Sequence, residues 1–316
     1  MTRRPLTLIV VGALAAGASA ATAATASGQA SEEETDIALP TVEVLDAGDE
    51  PRAPLRYTLT AGTGFAATQT VDQSIRQVDQ DGFGSTTDVP TIDLGLQLAV
   101  AEVGPDGTAR VDLAFTSVTA TGNGSAASAD QARAIEIALD DITDLTGQTT
   151  TTDRGVVVAG GYDIPEGLPD TVKSLVEQYE TQLQSVSPPL PEEALGAGAR
   201  WRATTELDLA GIEAQQRYDY TVESVNGSQV ELSVRFRQTA KPQDFEPPGA
   251  GKGDEFRLLS LRLRGKGTMT LDLTKPIPLD AEITAHAVQK TRTHLRGDDP
   301  EVITATIDQT QRITSS

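Results

Sequence analysis

Residues 96–115, LQLAVAEVGPDGTARVDLAF, and residues 218–236, YDYTVESVNGSQVELSVRF, read as two versions of one design. In each, an apolar residue falls on every second position up to a turn and the alternation resumes after it, which is the signature of a β-hairpin with one buried face. Gly104-Pro105-Asp106-Gly107 forms the first turn. Asn226-Gly227 forms the second and supplies the sharpest hairpin signal in the chain. The line Ile92, Leu94, Leu96, Leu98, Val100 extends the first hairpin and sets its apolar side chains on one face, with Asp93, Gln97 and Ala99 opposite. Leu98, Val100 and Val103 match Tyr220, Val222 and Val225 at one offset. The turns differ in length, so two partial repeats, 55–148 and 198–316, and coincidence between alternating hairpins both remain open.

Working outward, strands are expected from Leu55 past Phe65, then through Val71, Ile75 and Val78. Beyond Arg200 they cover 200–209, 212–225, 228–240, 255–273, 278–292 and 302–313. Residues 241–254, with Pro247-Pro248-Gly249, form a loop. Two segments switch period. Ala132, Ile135, Leu139 and Ile142 within 128–144, and Val172, Leu175, Val176, Tyr179 and Leu183 within 169–186, follow three- and four-residue spacing and predict two amphipathic helices. The expected fold class is therefore α+β and mostly antiparallel β, a strongly curved sheet or open barrel with the two helices packed on it.

The N-terminus predicts export. Arg3 and Arg4 precede an apolar run from Leu6 to Ala16, and small residues at Ala18-Ser19-Ala20 and Ala24-Thr25-Ala26 offer cleavage after Ala20 or Ala26. The apolar run is short of the roughly 20 residues of a membrane span, so no transmembrane segment is expected after signal removal. The chain has no cysteine, which excludes bacterial lipoprotein acylation, disulfides, thiolate metal sites and thiol catalysis. Residues 27–54, with Glu32–Glu34, Pro40, Pro51 and Pro54, read as an acidic disordered leader in which Val42 to Val44 is a candidate edge strand. Residues 55–316 then form one β-rich domain, large enough to bury roughly 70–75% of its unfolded surface without covalent staples.

The formal charge is −21 at neutral pH. Such a field repels phosphate backbones and anionic lipid surfaces, so nucleic acid is not an expected partner.

Reactive constellations are sparse. His286 and His294, eight positions apart on one strand, would share a face yet lie roughly 26 Å apart, too far for one metal. No Gly-x-Ser-x-Gly elbow occurs. Gly249-Ala250-Gly251-Lys252-Gly253 lacks the Ser or Thr of a phosphate loop, and Asp79-Gln80-Asp81-Gly82 lacks the spacing of a calcium loop. Asp140, Asp141 and Asp144 read as a solvated acidic face. Asn123-Gly124-Ser125 and Asn226-Gly227-Ser228 match the glycosylation sequon, the second within a turn. No cofactor, metal site or catalytic residue is expected.

Residues 189–201, PLPEEALGAGARW, carry a Pro-rich stretch and then Gly196-Ala197-Gly198-Ala199-Arg200-Trp201. This box resembles one in an uncharacterised family of exported bacterial β-rich proteins, a resemblance that assigns no activity. Physically, Gly196 and Gly198 permit tight backbone geometry and Trp201 anchors the following strand. The order of elements is also similar to that of the envelope lipid and lipoprotein carriers, and this similarity implies a curved sheet wrapped over helices around an apolar cavity.

Three functions stay open. The first is a non-catalytic extracytoplasmic protein binding an apolar small molecule or lipid, with Leu94, Leu96, Leu98, Leu113, Phe115, Tyr218, Tyr220, Leu232 and Val234 as the candidate ligand face. The second is a structural or interaction module of the cell envelope whose partner is an envelope protein. The third is a hydrolase with a serine or acid beside one histidine.

Overall fold

The computed structural model describes residues 39–122, scattered positions between 129 and 143, and residues 145–163, 187–209, 211–247 and 250–316. The strands in chain order are β1 (Thr41–Asp46), β2 (Ala53–Pro54), β3 (Gly64–Val78), β4 (Gly84–Asp88), β5 (Thr91–Val103) and β6 (Ala109–Thr121). Next come β7 (Thr146–Thr151), β8 (Val157–Tyr162), β9 (Ala194–Leu195), β10 (Arg200–Asp208) and β11 (Glu213–Asn226). The last are β12 (Gln229–Ala240), β13 (Gln243–Phe245), β14 (Glu255–Asp272), β15 (Asp280–His294) and β16 (Glu301–Ser315). The two quoted hairpins are β5–β6 and β11–β12.

Fourteen strands form one antiparallel sheet in the order β1-β10-β11-β12-β14-β15-β16-β3-β5-β6-β7-β8, with β4 beside β3 and β13 beside β14. The last strand, β16, pairs with the early strand β3, from Thr304↔Val78 to Ser315↔Ala67. After edge strand β1 the chain enters the middle of the sheet at β3 and builds out to β8, then resumes beside β1 at β10 and returns inward until β16 closes on β3. β2 and β9 form a separate two-stranded pair.

The sheet curls. In a flat sheet β10 and β7 would stand about 43 Å apart, nine strand spacings. Instead two adjacent residues span the gap at one rim. The Trp201 indole on β10 donates to the carbonyl of Pro189 at 2.9 Å, and the amide of Leu190 donates to the carbonyl of Arg154, in the β7–β8 turn, at 2.8 Å. A second strap runs beside the first: the Tyr57 amide donates to Asp153 at 2.7 Å and the Thr58 amide to Leu273, after β14, at 2.7 Å. Arg56 clips the straps together by donating to the carbonyls of Pro191 and Glu192, both at 2.9 Å, with Asp153 3.4 Å away. The concave side between these arms is one hydrophobic core containing Leu55, Tyr57, Leu94, Phe115, Leu190, Trp201, Tyr220 and Leu232.

The α+β expectation is corrected. Strands take 65% of the chain and helical conformation 3%, no helix stands among the described residues, and the sheet is not closed into a barrel. Of 128–144, the described Ala129, Asp130, Ala132, Arg133, Glu136 and Ile137 are in helical conformation. The other apolar positions of the stripe, Ile135, Leu139 and Ile142, lie outside the described residues. The stretch 169–186 lies outside the described residues. The arms are joined at one rim by the straps rather than by a ladder between β1 and β8, which do not pair with each other among the described residues.

The strands beyond Arg200 match their expected spans within a few residues, because each alternates strictly between a buried and a solvated face. Leu55 to Leu59, expected as strand, is the second strap. Thr41–Asp46, inside the expected leader, is edge strand β1, paired with β10 from Thr41↔Thr204 to Asp46↔Arg200. The glycine box also has a packing reason: a Cβ on Gly196 would fall on the carbonyl of Asp49, and the Gly196 amide donates to Ala47 at 2.9 Å.

Candidate functional site

Leu94, Leu96 and Leu98 on β5, Leu113 and Phe115 on β6, Tyr218 and Tyr220 on β11, and Leu232 and Val234 on β12 are all buried and belong to one core. They occupy two arms of the inner face rather than one strip. On the β10–β12 arm the rings form a stack: Trp201 lies 5.0 Å from Tyr220, Tyr220 5.8 Å from Tyr218, and Tyr218 5.2 Å from Phe236. On the other arm Phe115 stacks on Tyr162 at 5.6 Å. Burial holds the phenol of Tyr220 well above its ordinary range, with Tyr218 and Tyr57 adding to the effect. Burial likewise raises Tyr57, against a small opposing contribution from Ser187.

Beyond the aromatic stack the inner face changes character. Register carries the row Ala203–Tyr218–Phe236 into the next row, Thr205–Gln216–Gln238, and that into Leu207–Ala214–Ala240–Leu261. The last row belongs to a second apolar cluster with Leu209, Ile212 and Leu258. A polar row therefore lies between two apolar ones. The row itself runs on into Leu263, Ala287 and Ile307, while Gln289, Thr291, Gln309, Gln311 and Gln69 are buried polar residues of other rows on β15, β16 and β3.

Several polar atoms among these groups have no hydrogen-bond partner. Gln216 is 1% exposed, yet neither its amide nitrogen nor its amide oxygen has a hydrogen-bond partner. Thr205 Oγ1 and the amide oxygens of Gln238, Gln289 and Gln311 are also unpaired, while Gln289 Nε2 donates to Thr291 Oγ1 at 3.1 Å. Each orphaned buried group costs about 1–3 kcal/mol, and three of these residues, Thr205, Gln216 and Gln238, stand side by side in one row, a departure from the usual satisfaction of buried polar atoms. A glutamine amide offers two N–H donors and a carbonyl acceptor, and no charged side chain shares the inner face of the Thr205–Gln216–Gln238 row. The row suits an uncharged group that both donates and accepts.

Parity would have revealed the row. Gln216 shares the inward register of Ala214, Tyr218 and Tyr220, and Gln238 that of Val234 and Phe236, so a glutamine at an apolar position was the readable signal.

The other motifs resolve into structure. His286 Nδ1 lies 2.8 Å from Asp308 Oδ1, and His294 Nδ1 lies 3.3 Å from Glu255 Oε2, so each imidazole has its own carboxylate. Across the strands the order is His286, Asp308, Ser74. The carboxylate occupies the middle, whereas a hydrolytic triad needs the imidazole there. Asp79 Oδ1 accepts the amides of Asp81 and Phe83 at 2.9 and 2.8 Å and closes the β3–β4 turn. Among the described residues no group of three or more His, Asp or Glu is placed to hold a metal ion. A groove of about 400 Å³ lies along β5–β7, lined by Gln97, Asp112, Leu113, Thr146, Gln148 and Asp163.

No helix among the described residues is long and apolar enough to cross a membrane. The chain matches no protein-family model and no curated protein.

Proposed function

We propose that this chain is a non-catalytic extracytoplasmic binding protein that takes up an amphiphile, its hydrocarbon part against the aliphatic and aromatic inner face and its uncharged polar part against Thr205, Gln216 and Gln238. The observation that carries this reading is the pair of orphaned amide atoms on the fully buried Gln216, between two apolar clusters. A core built for stability alone gains nothing from them, since an apolar residue of that size would bury more surface without the penalty. Export is carried by the sequence of residues 1–26.

The test is mass spectrometry of the solvent-extracted protein after incubation with a total lipid extract. The expected result is a neutral-headed lipid retained in equal molar amount by the wild type and lost in Gln216→Leu. Protein that comes back empty after incubation overturns the reading.

A second reading, an interaction module of the envelope, is favoured by the sheet's open edges. β1 and β8 each pair on one side only among the described residues, and free strand edges accept strands from other chains. Photo-crosslinkers placed at Glu43 and Val158 separate the two readings, because an edge-bound partner crosslinks there and an inner-face ligand does not.

A further inference from the structure

The outer face of the same sheet carries a charge distribution that the net charge of −21 conceals. Arg217 pairs across the ladder with Arg237, and Arg237 with Arg264. One residue pair along, Arg235 stands opposite Lys266. Arg262 lies two residues from Arg264 on the same face of β14, and Lys290 and Arg292 extend the cations onto β15. Directly opposed like charges weaken a sheet, and this sheet opposes them three times in adjacent positions.

The neighbouring carboxylates are already engaged. Asp219 is held by Arg202 at 2.7 Å and by Arg217 at 3.3 Å, Asp308 by His286 at 2.8 Å, and Asp244 by Arg257 at 2.7 Å. Arg235, Arg237, Arg262, Arg264, Lys266, Lys290 and Arg292 are exposed and form no ion pair among the described residues.

The geometry points to a docking face for an anionic lipid surface, through the phosphates of many headgroups at once. The cations form a two-dimensional grid, about 5 Å across strands and about 7 Å along them. Side chains between them on this face are Ser233, Thr239, Thr268, Thr284 and His286, whose imidazole is held by Asp308, with Asp219 opposite Arg235 and Glu282 opposite Thr268, both engaged by arginines, and no Phe, Tyr or Trp for a base to stack on. A planar array of phosphates matches such a grid. The overall negative charge does not prevent contact, because at physiological ionic strength charges beyond about 8 Å are largely screened. The acids elsewhere on the shell are therefore felt weakly by a surface touching β12 and β14.

This inference is independent of the inner-face ligand, since its readout is binding to vesicles and not retention of lipid. The experiment is co-sedimentation of the full chain with phosphatidylcholine vesicles, with and without a minority of phosphatidylglycerol. The expected result is binding to the anionic vesicles alone, abolished when salt rises from about 0.05 to about 0.5 M. Combined R235Q/R237Q/R264Q/K266Q should weaken partitioning by two to three orders of magnitude, about fivefold per charge. The two-site variant R235Q/R237Q, confined to β12, should lose about 25-fold by the same reckoning. A control of equal net charge, R52Q/R110Q/R200Q/R312Q, should bind like wild type. Far-ultraviolet circular dichroism should show every variant folded, with the thermal midpoint of the patch variants unchanged or raised by relief of repulsion. Binding to neutral vesicles, loss in the control equal to loss in the patch variants, no vesicle binding at all, or binding to soluble polyphosphate but not to vesicles would each overturn the assignment.

Discussion

The indole of Trp201, fully buried on β10, hydrogen-bonds the carbonyl of Pro189 at 2.9 Å, and the next residue, Leu190, bonds the β7–β8 turn. Trp201 thereby ties one arm of the sheet to the other. Trp201→Phe keeps most of the packing but orphans the Pro189 carbonyl, a loss of about 1–3 kcal/mol. Trp201→Ala adds a cavity and should cost about 3–5 kcal/mol. Urea denaturation measures both. The strap should also open before the rest unfolds, so amide exchange at Leu190 should accelerate in Trp201→Phe while exchange in β15 does not.

Gly265, in the middle of β14, has Phe236 lying across it. A Cβ there would fall on the Cε1–Cζ edge of that ring and 2.7 Å from the carbonyl of Thr284. Gly265→Ala therefore overpacks the interior and should destabilise by about 1–3 kcal/mol. Phe236→Ala alone should cost about 3–5 kcal/mol. Because the two residues touch, the double variant should be more stable than the sum predicts, by about 1 kcal/mol in a double-mutant cycle. Strict additivity would show that the ring is not what excludes the methyl group.

Alkaline pH should unfold the protein through its buried phenols. The folded-state pKa values of Tyr57 and Tyr220 are raised, chiefly by burial. A raised value means the folded state holds its proton where the unfolded state has lost it. The stabilisation is complete below the unfolded tyrosine value of about 10 and is lost as pH climbs above it toward the folded values. Thermal midpoints between pH 8 and 11 should fall on the alkaline side, with phenolate absorbance from the buried rings appearing only as the fold melts. Tyr57→Phe should flatten that fall relative to the wild type.

Much of this architecture was legible where two-residue periodicity ran long. The inward register of Leu94, Leu96 and Leu98, and of Tyr218 and Tyr220, followed directly from alternation, and Asn226-Gly227 marked its hairpin, Gly227 having φ 63°. Pairing between β16 and β3 was not legible, because alternation fixes which face is buried but not which strand lies alongside. Nor were the straps, whose hydrogen bonds join residues such as Tyr57 and Asp153 far apart in sequence. The glutamine row and the arginine row were both encoded in parity, but their meaning needed the cross-strand register that sets Gln216 beside Gln238 and Arg237 beside Arg264.

Gln216 sets stability against binding. Its amide has no partner while its side chain is buried between Tyr218 and Phe236 on one side and Ala214 and Ala240 on the other. Gln216→Leu removes the orphaned polar atoms at nearly constant volume and should raise the unfolding free energy by about 1–2 kcal/mol. Gln216→Glu should do the reverse, because a carboxylate there is desolvated and no cation on the inner face compensates it. If the row receives the polar part of an amphiphile, the stabilised Gln216→Leu protein should lose retained lipid although its fold is firmer. Retention that rises together with stability would show that the glutamine row belongs to the core alone.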